Sequence, residues 1–136
     1  MHSPLKNLVI RVDSLGSGHY NAKRGKRLHR GVDFVSSVGE SVYAPMAGVV
    51  RILQVYEDAR LSHLTGIEIK GSEFIVKLFY VHRFKVKSGQ QVAKGDVIGQ
   101  AQAVAASYSS KMLNHVHMEV TDLKGQHYNP LNFVCY

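Results

Sequence analysis

Two short motifs in this sequence set histidine and carboxylate side chains at strand spacing. The first is His29-Arg30-Gly31-Val32-Asp33 and the second is His115-Val116-His117. Along an extended strand, side chains at i, i+2 and i+4 project from one face. His29 and Asp33 therefore point the same way across Gly31, whose missing side chain leaves open space between them. His115 and His117 share a face, while Val116 and Met118 turn to the opposite side and can enter a core. Imidazole nitrogen and carboxylate oxygen are ligands that zinc takes in tetrahedral sites, and a catalytic zinc keeps three protein ligands with a fourth position for water. His29, Asp33 and one histidine of the 115/117 pair supply three. The remaining histidine then lies beside the metal without binding it, placed to move a proton or to stabilise developing charge.

A third histidine ends the apolar run Leu78-Phe79-Tyr80-Val81-His82. Strict alternation puts Tyr80 and His82 on one face of that strand and Phe79 and Val81 on the other. Glu119 continues the register of His115 and His117, so it is expected to accept a hydrogen bond from a ligand histidine. His2, His19, His63 and His127 fall in predicted loops or termini and read as solvent-exposed, with His19 placed to line a groove. Glu68 reads as a surface residue of its strand. Cys135 is the only cysteine and has no partner.

These side chains need a scaffold of strands. Short runs of β-branched and aromatic residues, separated by glycine, predict strands over Val32–Val35, Ser41–Tyr43, Gly48–Val55, Gly66–Lys70, Phe74–His82, Gln91–Ala93, Val97–Ala101 and Val116–Val120. Leu5–Val12 is a further candidate strand, and Glu57–Leu64 and Val104–Leu113 read as loops. Many short strands with short turns imply a mainly β fold, an antiparallel sheet or sandwich with long connecting loops. The 136 residues suit one domain, residues 1–136, with a core that needs no staple. One cysteine cannot form an internal disulfide, and no apolar run approaches the roughly 20 residues that span a bilayer. Met1–Val12 lacks the apolar stretch of about 7–15 residues of a secretory signal.

The formal charge is +7, from 17 lysines and arginines against 10 acidic residues. It favours polyanionic partners, and Lys23, Arg24, Lys26, Arg27 and Arg30 concentrate it in one stretch. Nucleic-acid binding would rest on charge alone, with no recognisable motif behind it.

Taken in order, HxGxD (His29 to Asp33), VYAPMAGVV, YVH (Tyr80 to His82), VxxGQxVxxGDVIG and HVHMEV (His115 to Val120) resemble the lysostaphin/LytM-type zinc metallopeptidases over about Gly16 to Pro130. VYAPMAGVV and VKSGQQVAKGDVIG are also similar to the framework of biotinyl and lipoyl carrier domains, but the exposed hairpin lysine of those domains has no counterpart here. The peptidase resemblance implies that His29, Asp33 and His117 are the zinc ligands and that His82 and His115 are the two active-site histidines. It implies an antiparallel sheet with Zn2+ in a groove, and endopeptidase cleavage of peptidoglycan stem or cross-bridge peptides. The partner is then a peptidoglycan peptide substrate, met at the bacterial cell wall, which is anionic, or in the periplasm, with release by phage lysis or a secretion system. Several stretches, among them GHYNAKRGKRLHRGVD and NHVHMEV, resemble the leukocyte-derived chemotaxin branch of the same superfamily. That branch keeps the zinc ligands, is not known for peptidase activity and lacks the histidine of the Tyr-x-His motif, which implies the alternative of a non-catalytic, zinc-stabilised binding module. His82 and the absence of paired cysteines depart from that branch.

Overall fold

The computed structural model describes residues 1–24 and 27–134; Lys26 of the basic stretch and Cys135 lie outside them. Two short hairpins come first, β1 (Val12–Asp13) with β2 (Gly16–Ser17) and β3 (Lys23–Arg24) with β4 (Arg27–Leu28). Ten further strands follow: β5 (Val32–Val35), β6 (Ser41–Tyr43), β7 (Gly48–Gln54), β8 (Thr65–Lys70), β9 (Phe74–Phe79), β10 (Val81–Arg83), β11 (Gln91–Val92), β12 (Val97–Ala101), β13 (His115–Asp122) and β14 (His127–Tyr128). Helical structure among the described residues amounts to single 3-10 turns at Ala59–Leu61, Ala105–Ser107 and Pro130–Asn132.

The large sheet runs β11-β7-β8-β9-β13, and the far edge of β13 is shared by β5 along its first half and β14 along its second. A small sheet, β10-β12-β6, packs against it. Every pairing is antiparallel. Val42, Val81, Ile98 and Ala101 of the small sheet join Val32, Phe34, Ile67, Ile69, Leu78, Val116 and Met118 of the large one in a single buried cluster. Full burial of each such aliphatic side chain is worth about 1.5–3 kcal/mol. This fixes the register of β13, because a one-residue slip would exchange Val116, Met118 and Val120 for His115, His117 and Glu119. The face of the large sheet turned from this core carries Asp33, Phe79, His115, His117 and Glu119.

The expected strand Phe74–His82 is two strands in two sheets. Tyr80 breaks it with φ of +68°, and its neighbours fix the switch: the Tyr80 N–H donates to the Thr65 carbonyl at 2.8 Å, and the Tyr80 carbonyl accepts from Gln102 N–H at 2.9 Å. Leu5–Val12 is not a continuous strand. It follows β5 through Arg11 N–H to the Asp33 carbonyl, Val35 N–H to the Val9 carbonyl and one bridge at Ile10. Glu57–Leu64 and Val104–Leu113 are loops around two of the 3-10 turns. Glu68 is buried rather than superficial, paired with Arg51 at 2.9 Å.

Candidate metal centre

β5 and β13 bring the two motifs together because His117 lies opposite Asp33 in their register. His29 precedes β5 and reaches the same point. Asp33 Oδ1 is 2.7 Å from His117 Nδ1 and 3.2 Å from His29 Nε2, and the two nitrogens are 3.1 Å apart. The three residues are buried and offer ligand atoms all within 4.8 Å of one another. Gly31 does not leave open space between His29 and Asp33: a Cβ there would lie 2.8 Å from His117 Cε1 and 2.9 Å from its Nε2. The imidazole of His117 fills that gap.

Each of the three is held from behind, the arrangement that orients metal ligands. His29 Nδ1–H donates to the His19 carbonyl at 2.9 Å, which leaves the Nε2 lone pair facing the centre. His117 Nε2–H donates to Glu119 at 2.9 Å, which presents Nδ1. Arg11 Nε–H donates to Asp33 Oδ2 at 3.2 Å, which turns Oδ1 inward. Two imidazole nitrogens and one carboxylate oxygen, each with a fixed tautomer or orientation, fit a zinc ion. Without one, a proton serves the same atoms. Burial disfavours the His117 cation, yet hydrogen bonds to Asp33 and Glu119 hold its pKa at about 9. Burial likewise opposes charge on Asp33, but hydrogen bonds from His117 and His29 keep its carboxyl well below the usual carboxylate range.

His115 stands beside the set. Its Nε2 is 3.8 Å from Asp33 Oδ2, and its Nδ1–H donates to the Leu113 carbonyl at 2.9 Å. Nε2 is therefore the atom free to accept a proton. Burial pushes this imidazole below its ordinary pKa, against the pull of Asp33. The centre opens into a cavity of about 610 Å³. Phe79 forms part of its wall, stacked on His117 with ring centroids 5.3 Å apart.

The structure does not bring His82 to this centre. His82 is exposed on β10, paired with Gln100, and does not line the cavity. The cause is Tyr80: its left-handed backbone sends both Phe79 and Tyr80 into the cavity, returns Val81 to the core and turns His82 away. Glu119 is placed as expected, and also bonds His127 Nε2 at 3.2 Å. His127 is thus half-buried on β14, not a free loop residue, while His2, His19 and His63 are exposed. Arg11 went unassigned in the sequence. It is 4% exposed and bridges Asp33 to Asp13, donating to the latter at 2.9 Å. Tyr56 and Tyr108 also reach the cavity from loops. No spacing rule connects any of these three to the motifs.

The model of peptidase family M23 matches residues 27–130. Leukocyte cell-derived chemotaxin-2 from Mus musculus is 35% identical over 121 residues, covering 88% of this chain and 78% of that protein. The catalytic domain of the prophage-encoded M23 protein EnpA from Enterococcus faecalis, solved as a mutant, has a TM-score of 0.62 at 23% identity, covering 96% of this chain and 92% of that one. The catalytic domain of the antimicrobial peptidase lysostaphin from Staphylococcus simulans has a TM-score of 0.62 at 19% identity, covering 90% and 91%. These two structures share the fold. With its motifs converging on one buried centre and a family match over most of its length, the chain belongs to peptidase family M23.

Proposed function

We propose that this protein is a zinc-dependent endopeptidase that hydrolyses stem or cross-bridge peptide bonds of peptidoglycan at the bacterial cell wall, reached by phage lysis or a secretion system. The observation that carries this reading is the buried set of His29 Nε2, Asp33 Oδ1 and His117 Nδ1, each backed by a second hydrogen bond. These atoms would hold the ion, which supplies Lewis acidity and a water of lowered pKa. His115 accepts a proton from the attacking water at Nε2, the atom its bond to the Leu113 carbonyl leaves unprotonated. Passing that proton to the leaving amine completes a general acid–base cycle of the kind worth about 10²–10⁴-fold. Asp33 and Arg11 face this imidazole across the centre and fix the charge around it. The net charge of +7 favours approach to an anionic wall. No role in hydrolysis is assigned to His82.

The test is release of new amines from purified peptidoglycan by zinc-supplemented protein. His115→Ala should keep its zinc and lose hydrolysis, and His29→Ala should lose the zinc. Full activity in His115→Ala would overturn the role given to it. One observation favours a second reading, a non-catalytic zinc-stabilised binding module: His82 stands outside the cavity in a chain 35% identical to a chemotaxin. That reading expects tight zinc binding and no released amine.

A further inference from the structure

Three tyrosines from separate segments meet at one wall of the cavity. Tyr56 follows β7, Tyr80 sits at the switch between β9 and β10, and Tyr108 follows the 3-10 turn at Ala105–Ser107. The Tyr108 hydroxyl donates to the Tyr56 hydroxyl at 2.6 Å, and the Tyr56 and Tyr80 hydroxyls are 2.8 Å apart. A phenol has one O–H to donate. Three protons are therefore available, and two hydrogen bonds use two of them. Among the described residues these hydroxyls have no other hydrogen-bond partner. One O–H remains for whatever enters the cavity, and since Tyr108 is spent on Tyr56, it belongs to Tyr56 or Tyr80.

Tyr80 is the nearer to the ligand set. Its ring meets that of His115 edge-on with centroids 5.3 Å apart, and His115 Nε2 is itself 3.8 Å from Asp33 Oδ2. Donation running from Tyr108 to Tyr56 to Tyr80 leaves the proton on Tyr80 and polarises it along the chain. The backbone supports the same assignment. A positive φ costs a bulky residue about 1–3 kcal/mol and persists only where its surroundings impose it; here Thr65 and Gln102 impose it through both backbone polar groups of Tyr80. Ordinary alternation would have turned this side chain from the face that Phe79 occupies. The left-handed residue places the phenol in the cavity instead. Burial and the neighbouring phenols hold Tyr80 well above the usual tyrosine range, so it stays a donor at neutral pH.

Resting on the peptidase reading, we propose that Tyr80, backed by Tyr56 and Tyr108, donates the hydrogen bond that stabilises the oxyanion formed when a bound peptide carbonyl is attacked. It thereby holds an active-site place that the Tyr-x-His resemblance would give to His82.

The experiment uses the full chain loaded with zinc, as wild type, Tyr80→Phe, Tyr56→Phe and His82→Ala. Zinc content and thermal midpoint establish that each variant is folded and loaded. Inorganic phosphate, titrated by calorimetry, serves as a tetrahedral oxyanion probe, and amine release from peptidoglycan gives kcat and KM. Tyr80→Phe should weaken phosphate at least about tenfold, as expected for one hydrogen bond to a charged acceptor. It should lower kcat about 10²–10³-fold, the usual loss for one oxyanion donor, with KM little changed. Tyr56→Phe should show the same losses to a smaller degree, and His82→Ala should match wild type in both assays. Phosphate affinity that is equal in wild type and Tyr80→Phe, or absent from both, overturns the proposal. Wild type that binds phosphate through Tyr80 but releases no amine overturns the peptidase reading alone.

Discussion

Adding one methyl group at Gly31 is a demanding test of how the centre is built. A Cβ on Gly31 would collide with the Met118 carbonyl oxygen and lie 2.8 Å and 2.9 Å from His117 Cε1 and Nε2, well inside the roughly 3.5–4.0 Å of an ordinary carbon contact. Met118 cannot retreat, because β13 is bound on one side by β9 and on the other by β5. The strain must fall on the pairs His117–Asp33 and Met118–Val32, which hold the two motifs together. Overpacking of this kind costs about 1–3 kcal/mol, and a rigid carbonyl as the obstacle places Gly31→Ala at the upper end. For 136 residues, an unfolding entropy of about 2.1 cal/mol/K per residue converts ~3 kcal/mol into a midpoint lowered by about 10 °C. Displacing the His117 ring should also cost at least about tenfold in zinc affinity, the scale of losses seen when a ligand's supports are disturbed. Calorimetric unfolding of chelator-treated protein reads the first effect, and competition against a zinc dye reads the second. A Gly31→Ala protein with a midpoint within about 2 °C of wild type and unchanged zinc affinity would refute this account of the packing.

Arg11→Met removes a buried cation from between Asp33 and Asp13 and should destabilise the fold by about 3 kcal/mol, the low end for a broken buried pair, since Asp33 keeps His117 and His29; denaturant titration measures it, and a loss under about 1 kcal/mol would contradict the bridging role. Glu119→Ala removes the acceptor behind His117 and should weaken zinc binding about 10–100-fold, with His127→Ala closer to wild type. The metal-free protein should lose stability as pH rises from about 6.5 to about 9. The folded pKa of His117, about 9, lies above the ordinary value near 6.5, so its contribution is complete below the lower value and is lost through the upper one. Melting the chelated protein across that range tests this, and His117→Ala should flatten the profile.

How far the sequence disclosed this molecule depends on which regularity each residue obeys. β13 was legible because strict alternation sorts His115, His117 and Glu119 from Val116, Met118 and Val120, and the structure keeps that sorting. His29 and Asp33 were legible as a motif, but not for the same reason, since His29 precedes β5 instead of lying in it. Gly31 was visible, but not its purpose, since the ring that fills its space comes from 86 positions later in the chain. His82 misled because parity was carried through Tyr80, a residue type that gives no warning of positive φ. Arg11, Tyr56 and Tyr108 obey no period at all: hydrogen bonds between distant loops place them. His127 became part of the centre's surroundings through a two-residue strand, too short for any pattern to announce.

The shared edge of β13 also governs when a centre of this kind can exist. His29 and His117 are 88 residues apart, so the strand that receives β5 leaves the ribosome well after the first motif. At roughly 5–20 residues per second, the nascent chain carries His29 and Asp33 for several seconds with no third donor in reach. During that interval β5 has no partner strand, and its core residues Val32 and Phe34 lack the strand that will cover them. Assembly of the candidate ligand set and closure of the large sheet are therefore joint events that wait for β13. A chain stalled before residue 115 would present two isolated candidate ligands and an unpaired strand edge, a species suited to chaperones.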